Sequence, residues 1–305
     1  MIPASSSGAP GHLKGGTLSL AGLSAALDGP LCPSFAAWPG PYQPFLVSDS
    51  GDPLSSHWRM GDEELHPDDA RFVSTYAAGS WQRGTVNDRV LYRFHAGENR
   101  PYLWAEPNGD FSEVTVWQDP AGRRQMPPML HPVDRVLWMG VLAHQFGFIV
   151  HSCGWSCNGK ALLFPGVSGA GKTTLCRQLM AAGQGNILSD DRVILKKEDQ
   201  GIRACGTPWP GDAKQARNES APLAALCFIE KSPDHYLLPI RSSEALRRLL
   251  EAASVPWFSS ELRDRVLPLL EQVVTTVQAF RLGFHPEPGV TDLLLPLVDL
   301  AVQRD

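Results

Sequence analysis

Gly166-Val167-Ser168-Gly169-Ala170-Gly171-Lys172-Thr173-Thr174 satisfies every fixed position of the pattern G-x-x-x-x-G-K-[ST]. Its glycines let backbone N–H groups turn inward toward phosphate oxygens along a path that side chains would obstruct. Lys172 supplies positive charge for the β and γ phosphates, and the Thr173 hydroxyl is of the kind that ligates Mg2+ in such loops. The flanks agree with the loop. Ala161-Leu-Leu-Phe164 is a short apolar run of strand type, and Thr173 to Ala182 reads as a helix closed by Gly183. A strand, a glycine-rich turn and a helix set a helix N-terminus against an anion. The expected nucleotide-binding set is therefore Gly166, Ser168, Gly169, Ala170, Gly171, Lys172, Thr173 and Thr174.

A chain of 305 residues accommodates one large domain or two ordinary ones. Hydrophobic content of 43% and charged content of 19% describe a soluble globular protein with material for a sizeable core. A net charge of -5 argues against nucleic-acid binding through bulk electrostatics. No run approaches the roughly 18 consecutive apolar residues expected of a membrane span. The start of the sequence lacks the basic-then-apolar run of a signal peptide, so the expected location is cytoplasmic. The cysteines at 32, 153, 157, 176, 205 and 227 form no C-x-x-C pair. Cys153 and Cys157 on one strand would lie roughly 13 Å apart, too far for a disulfide, and all six read as thiols.

Met1 to Gly16, rich in Ser, Gly and Pro, reads as a disordered tail. Residues 17–130 read as a sheet-rich N-terminal domain, mostly antiparallel. Its strand candidates are Pro44 to Ser48, Arg89 to Phe94, Tyr102 to Trp104 and Glu113 to Trp117, with turns at Asn108-Gly109 and Asp119 to Gly122. Trp81, Trp104 and Trp117 could stack on a ligand, although aromatics on alternating strands are usually core. From residue 131 to 305 the pattern is α/β. Val133, Val136, Leu137, Gly140 and Val141 fall on one helical face within His131 to Phe146, a helix expected to bridge the two domains. His144, near its C-terminal end, suits the helix dipole.

Phe148 to Cys157 runs as a strand into Asn158-Gly159, followed by Lys160 to Phe164. Asn-Gly between two strand runs signals a two-residue hairpin turn, which fixes the register. Cys157 then faces Lys160, and His151 comes opposite Gly166. An imidazole is thus expected at the mouth of the glycine-rich loop. After the helix, Ile187-Leu188 and Arg192 to Lys196 read as strands with Asp190 and Asp191 at their junction. In an open α/β sheet, ligands sit off the carboxyl ends of strands. Paired carboxylates there can divide the work, one holding Mg2+ and one accepting a proton.

His151, the Asn158-Gly159 hairpin, GVSGAGKTT and the LSDDRV segment Leu188 to Val193 together resemble the HPr kinase/phosphorylase family and its phosphoenolpyruvate-carboxykinase-like nucleotide fold. The chain is more similar still to HPr-kinase-like proteins of peptide-modification clusters, including lasso-peptide kinases. Their Gly-Thr-Pro-Trp-x-Gly-Glu segment has a counterpart in Gly206-Thr-Pro-Trp-Pro-Gly211-Asp212. Their Arg-Leu-x-Phe strand has one in Arg281-Leu-Gly-Phe284, followed here by His-Pro-Glu-Pro. The resemblance covers roughly Phe148 to Asp299. It implies an HPr-kinase C-terminal-domain-like fold with a mixed sheet, in which Asp190 takes the proton from a serine hydroxyl and His151 tunes Asp190. It also implies Lys172 on the phosphates and Thr173 and Asp191 on Mg2+, with the division between the two aspartates open. The family's long signature segment for HPr is not recognisable, and GTPWPGDAKQARNESAPL stands in its place. Asp212 there is a candidate second metal or substrate ligand, and Arg217 a candidate for the phosphoryl group or an acidic substrate. Arg241 and Arg281 are weaker candidates.

Further along, Ala224 to Ile229 reads as a buried strand, Glu244 to Ala253 as a helix, and Pro268 to Ala279 as a second helix with proline in its first turn. The expectation is an ATP-dependent kinase, with ATP and Mg2+, acting on a serine of a peptide or small protein such as a lasso-type precursor. A small-molecule kinase and a non-catalytic nucleotide-binding regulator are the alternatives. No nucleic acid and no membrane are expected as partners, and a homo-oligomer is left open.

Overall fold

The computed structural model describes residues 16–29, 37–48, 54–61, 71–95, 101–118, 130–167 and 169–299. Met1 to Gly15, Cys32, the Asp119 to Gly122 turn and Ser168 therefore lie outside the described residues. The molecule is mixed α/β with two mixed sheets. The described residues group into two compact units. One holds most of the described chain up to Asp134, and the other holds Ser19–Leu23, Pro39–Val47 and the chain from Arg135 onward.

The N-terminal strands are β1 (Thr17–Leu20), β2 (Leu23–Asp28), β3 (Leu46–Val47), β4 (Leu54–Met60), β5 (Val73–Ala78), β6 (Trp81–Val86), β7 (Arg89–His95), β8 (Pro101–Pro107) and β9 (Glu113–Gln118). From β9 through β8, β7 and β6 to β5 the pairing is antiparallel, as local hairpins dictate. The β2–β4 and β4–β9 pairs are parallel, a departure from the mostly antiparallel expectation. Parallel neighbours need long crossovers rather than tight turns, and no local turn signal announces them. Pro44 also departs from expectation: it lies in a 3-10 helix, Gly40–Phe45, and only Leu46–Val47 is strand. Its fixed φ and missing N–H suit that turn better than a ladder. Trp104 and Trp117 are buried together with Val86 and Leu91, as core rather than ligand platform. Trp81 is half-buried among Tyr76, Tyr92 and Phe94.

In the second unit, helix α1 (Val133–His144) precedes β10 (Gly147–Cys157), β11 (Lys160–Pro165), α2 (Lys172–Ala181), β12 (Asn186–Ser189), β13 (Arg192–Glu198), β14 (Gly201–Cys205) and β15 (Ser220–Lys231). Strand β16 (Tyr236–Pro239), helices α3 (Ser242–Ala252) and α4 (Ser260–Thr276), strand β17 (Gln278–Phe284) and helix α5 (Val290–Asp299) complete it. The sheet runs β11-β10-β13-β14-β15-β17-β16, and β11 also pairs with β15, so five strands close into a ring. β11, β15 and β17 are mutually parallel neighbours with their carboxyl ends together. Cys153 and Trp155 of β10 join Leu162, Phe164, Ala225, Cys227, Ile229, Leu282 and Phe284 of these strands in one buried cluster with Leu175, Cys176 and Leu179 of α2 and Leu294 and Val298 of α5. At about 25 cal/mol per Å2 of apolar area removed from water, such fully enclosed side chains contribute about 1.5–3 kcal/mol each.

Helix α4 begins earlier than expected, because Ser259 caps it: its Oγ accepts the Leu262 N–H at 3.4 Å. Leu262, Val266, Leu269, Leu270, Val273 and Val274 then form the buried stripe, and Pro268 sits inside the helix rather than in its first turn. The five described cysteines are free and buried. Among the described residues, no helix is long and apolar enough to cross a membrane.

Candidate functional site

The Asn158-Gly159 turn has φ of 50° and 74°, the left-handed pair that a two-residue hairpin turn requires. Its register carries Cys157 opposite Lys160 and Ser152 opposite Pro165. One step further out, the Gly166 N–H donates to the His151 carbonyl at 3.2 Å. The hairpin thus brings His151 to the start of the glycine-rich loop, where the turn chemistry locates it.

Beyond Gly166 the loop turns through Gly169 at φ 82° and Gly171 at φ 107° into α2. Gly171 is the helix N-cap and offers no side-chain acceptor, so the first-turn amides of α2 carry the partial positive charge of a helix start uncovered by a cap. Lys172 is buried and its Nζ donates to the carbonyls of Gly166 (2.7 Å) and Val167 (3.0 Å). Burial pushes its ammonium below the ordinary lysine value, with the Arg192 charge adding to the effect and Asp191 opposing it. Thr173 is half-buried and Thr174 exposed on the same turn.

Asp190 and Asp191 occupy the junction between β12 and β13, but they do different things. Asp190 is 2% exposed. Its Oδ1 accepts the N–H groups of Gly211 and Gln215 at 3.0 Å each, and its Oδ2 accepts that of Ala213 at 2.7 Å. The carboxylate therefore organises the segment after GTPWPG. That segment lies close: a Cβ at Gly211 would sit 2.9 Å from Asp190 Oδ2 and 3.1 Å from Asp191 Cβ. A Cβ at Gly206 would sit 1.9 Å from the Arg217 carbonyl oxygen. Thr207 ties the loop to β13, its Oγ1 donating to the Arg192 carbonyl at 2.6 Å.

Asp191 faces His151. The imidazole Nε2 lies 2.9 Å from Asp191 Oδ1, and Arg192 Nη1 lies 2.9 Å from Asp191 Oδ2. The expected partner of His151 was Asp190; the structure pairs it with Asp191, because Asp190 turns inward to the 211–215 amides. His151 and Arg192 are directly opposed on β10 and β13, so both project from the same face of the sheet. Burial raises the Asp191 carboxyl, but the His151 hydrogen bond and the charges of Arg192, His151 and Lys172 outweigh it and hold the group below the ordinary carboxylate value. Because an ionised carboxylate only accepts, His151 Nε2 carries the proton in this contact.

No known family model matches the chain, and no curated protein does.

The other proposed polar residues make contacts of their own or face solvent. Asp212 is exposed. Arg217 is exposed and lies 3.5 Å from Glu219. Arg281 makes a forked pair with Glu244 at 2.9 and 3.0 Å, and Glu244 also accepts from Arg248. Arg241 is the exposed N-cap of α3. His144 lies 3.8 Å from Glu261 in the first turn of α4. Sequence reasoning passed over Arg192, the arginine that does join the site. The signal available was its position one residue after the acidic pair, on a strand antiparallel to the one bearing His151. Among the described residues, no group of three or more His, Cys, Asp or Glu side chains is arranged to hold a metal ion by itself.

Proposed function

We propose that the second unit is a phosphotransferase of HPr-kinase-like type, taking the γ-phosphoryl group of ATP to the hydroxyl of a serine on a peptide or small protein. The observation that carries this reading is the meeting of a His151–Asp191 pair with Lys172 and a glycine-rich helix start at one end of three parallel strands. Phosphoryl transfer asks little else of a protein than positioning, charge neutralisation and a proton acceptor.

The residues fit both absent groups. The amides of Gly169 to Thr173 and the Lys172 ammonium suit the phosphates of ATP. Mg2+ in nucleotide sites keeps several waters and takes only one or two protein oxygens besides phosphate, so Thr173 Oγ1 and the part-exposed Asp191 carboxylate are an adequate donor set. Mg2+ bound there would neutralise charge on the phosphate oxygens. The acceptor serine loses its proton to the His151–Asp191 pair as its oxygen bonds to the γ-phosphorus and the bond to the bridging oxygen breaks. Asp190, fully engaged with backbone amides, holds the loop that flanks the acceptor side.

The test is incubation of the full chain with γ-labelled ATP and Mg2+ in the presence of serine-bearing peptides, of free serine, or of neither. Label on a peptide serine supports the reading. Label on free serine alone moves the substrate to the small-molecule class, and absence of any label transfer from ATP overturns the kinase reading.

A further inference from the structure

Arg192 carries its contacts on a single nitrogen. Nη1 donates both to Asp191 Oδ2 at 2.9 Å and to the Asp191 carbonyl at 3.0 Å. Its Nε and Nη2, the two nitrogens that form the side-on fork of a guanidinium, have no partner among the described residues. The side chain is only 19% exposed, a position that costs desolvation unless the charge is matched. The match present is one carboxylate, and His151 already shares it.

The positive groups therefore outnumber the anion that faces them. Lys172 and Arg192 are the cations here, and Asp191 is the carboxylate that both interact with. Asp190 is spent on the amides of Gly211, Ala213 and Gln215. A forked guanidinium edge with no acceptor is shaped for two oxygens of a phosphate, which it binds bidentately, whereas an ammonium acts as a point charge. Arg192 is also braced against swinging away. It is opposed to His151 in the ladder, and its carbonyl is held by Thr207 Oγ1.

We propose that Arg192 reads the terminal phosphoryl group of a bound nucleoside triphosphate through its Nε/Nη2 edge, so that the site distinguishes triphosphate from diphosphate. The inference rests on the nucleotide-binding reading of the glycine-rich loop. Lys172 and the loop amides grip whichever phosphates a nucleotide has. Arg192, across Asp191 from His151, meets only the one that is transferred.

The experiment compares binding of ADP with Mg2+ and of the non-hydrolysable triphosphate AMP-PNP with Mg2+ by calorimetry, on the full chain. In Arg192→Gln, affinity for AMP-PNP is expected to fall about tenfold or more while ADP affinity stays within about twofold. Arg192→Lys keeps the charge but not the fork, and is expected to lose a large part of the same preference. In Lys172→Ala both nucleotides weaken. Far-UV circular dichroism and a cooperative thermal transition check that each variant is folded, and Arg192→Lys carries the test if Arg192→Gln does not fold. Equal loss of both nucleotides in a folded Arg192 variant, or no loss of AMP-PNP, overturns the proposal. A parent protein that binds neither nucleotide overturns the reading beneath it, which is a separate and recognisable outcome.

Discussion

His151 Nε2 lies 2.9 Å from Asp191 Oδ1, while the neighbouring Asp190 turns its carboxylate the other way, into the amides of Gly211, Ala213 and Gln215. Two adjacent acids that look interchangeable in the chain are thus a loop anchor and a site carboxylate. This division sets what each should do when altered.

Asp190→Asn should be felt in stability. The substituted amide can keep an oxygen toward Gly211 and Gln215, but its NH2 then confronts the Ala213 N–H, donor against donor. Hydrogen bonds to a charged group contribute about 1.5–3 kcal/mol each, so a loss of about 2–4 kcal/mol is expected. Asp191→Asn can keep an amide oxygen toward Arg192 Nη1, so it should cost less, about 1–2 kcal/mol. Urea unfolding of the two variants checks the order, and a smaller loss in Asp190→Asn than in Asp191→Asn would remove the anchor role.

The Asp191 carboxyl is held below the ordinary value of 3.8, since the His151 hydrogen bond and nearby cations outweigh its burial. A depressed carboxylate stabilises the fold above its unfolded-state value, and that contribution is lost as pH falls through the folded-state value. Thermal midpoints of the metal-free protein, measured from about pH 6 down to about pH 3, should therefore fall less steeply at the acid end in Asp191→Asn than in the parent. Parallel profiles would show that the carboxyl is not held low.

Glycines at the GTPWPG loop should be intolerant where the backbone is close. Gly206→Ala meets the Arg217 carbonyl at 1.9 Å and Gly211→Ala meets the Asp190 carboxylate at 2.9 Å, whereas Gly109→Ala meets nothing within 4 Å. The first two are expected to destabilise by about 1–3 kcal/mol through overpacking, and Gly109→Ala to stay within about 0.5 kcal/mol. Equal melting temperatures for all three would refute the close approach.

One extra glycine between Asn158 and Gly159 breaks the two-residue turn and its register. His151 then leaves its place opposite Gly166, and nucleotide turnover should drop about a hundredfold or more even if the chain still folds. Turnover at the parent's rate with intact far-UV circular dichroism would show that the hairpin does not aim the imidazole.

The parts legible in the sequence were those written locally. A two-residue Asn-Gly turn leaves one register, so the place of His151 followed from counting, and the α2 boundaries followed from apolar spacing and Gly183. The partner of His151 did not follow, because adjacent residues at a turn point in different directions and the choice is made by amides more than 20 residues downstream. Arg192 was passed over for the same reason: its role depends on which aspartate it meets. The start of α4 was legible in Ser259 and the stripe from Leu262 to Val274, but Pro268 was read as a helix start instead of an interior residue. The parallel pairs β2–β4 and β4–β9 left no local mark at all.

The most direct test is the rate at which the γ-phosphoryl group leaves saturating ATP with Mg2+, to a serine peptide or to water, in the parent and in Asp191→Asn, with nucleotide affinity measured alongside. The account predicts loss of about a hundredfold or more in rate with ATP still bound, the scale of a missing proton acceptor and its charge. An Asp191→Asn protein that turns ATP over at the parent's rate would contradict it.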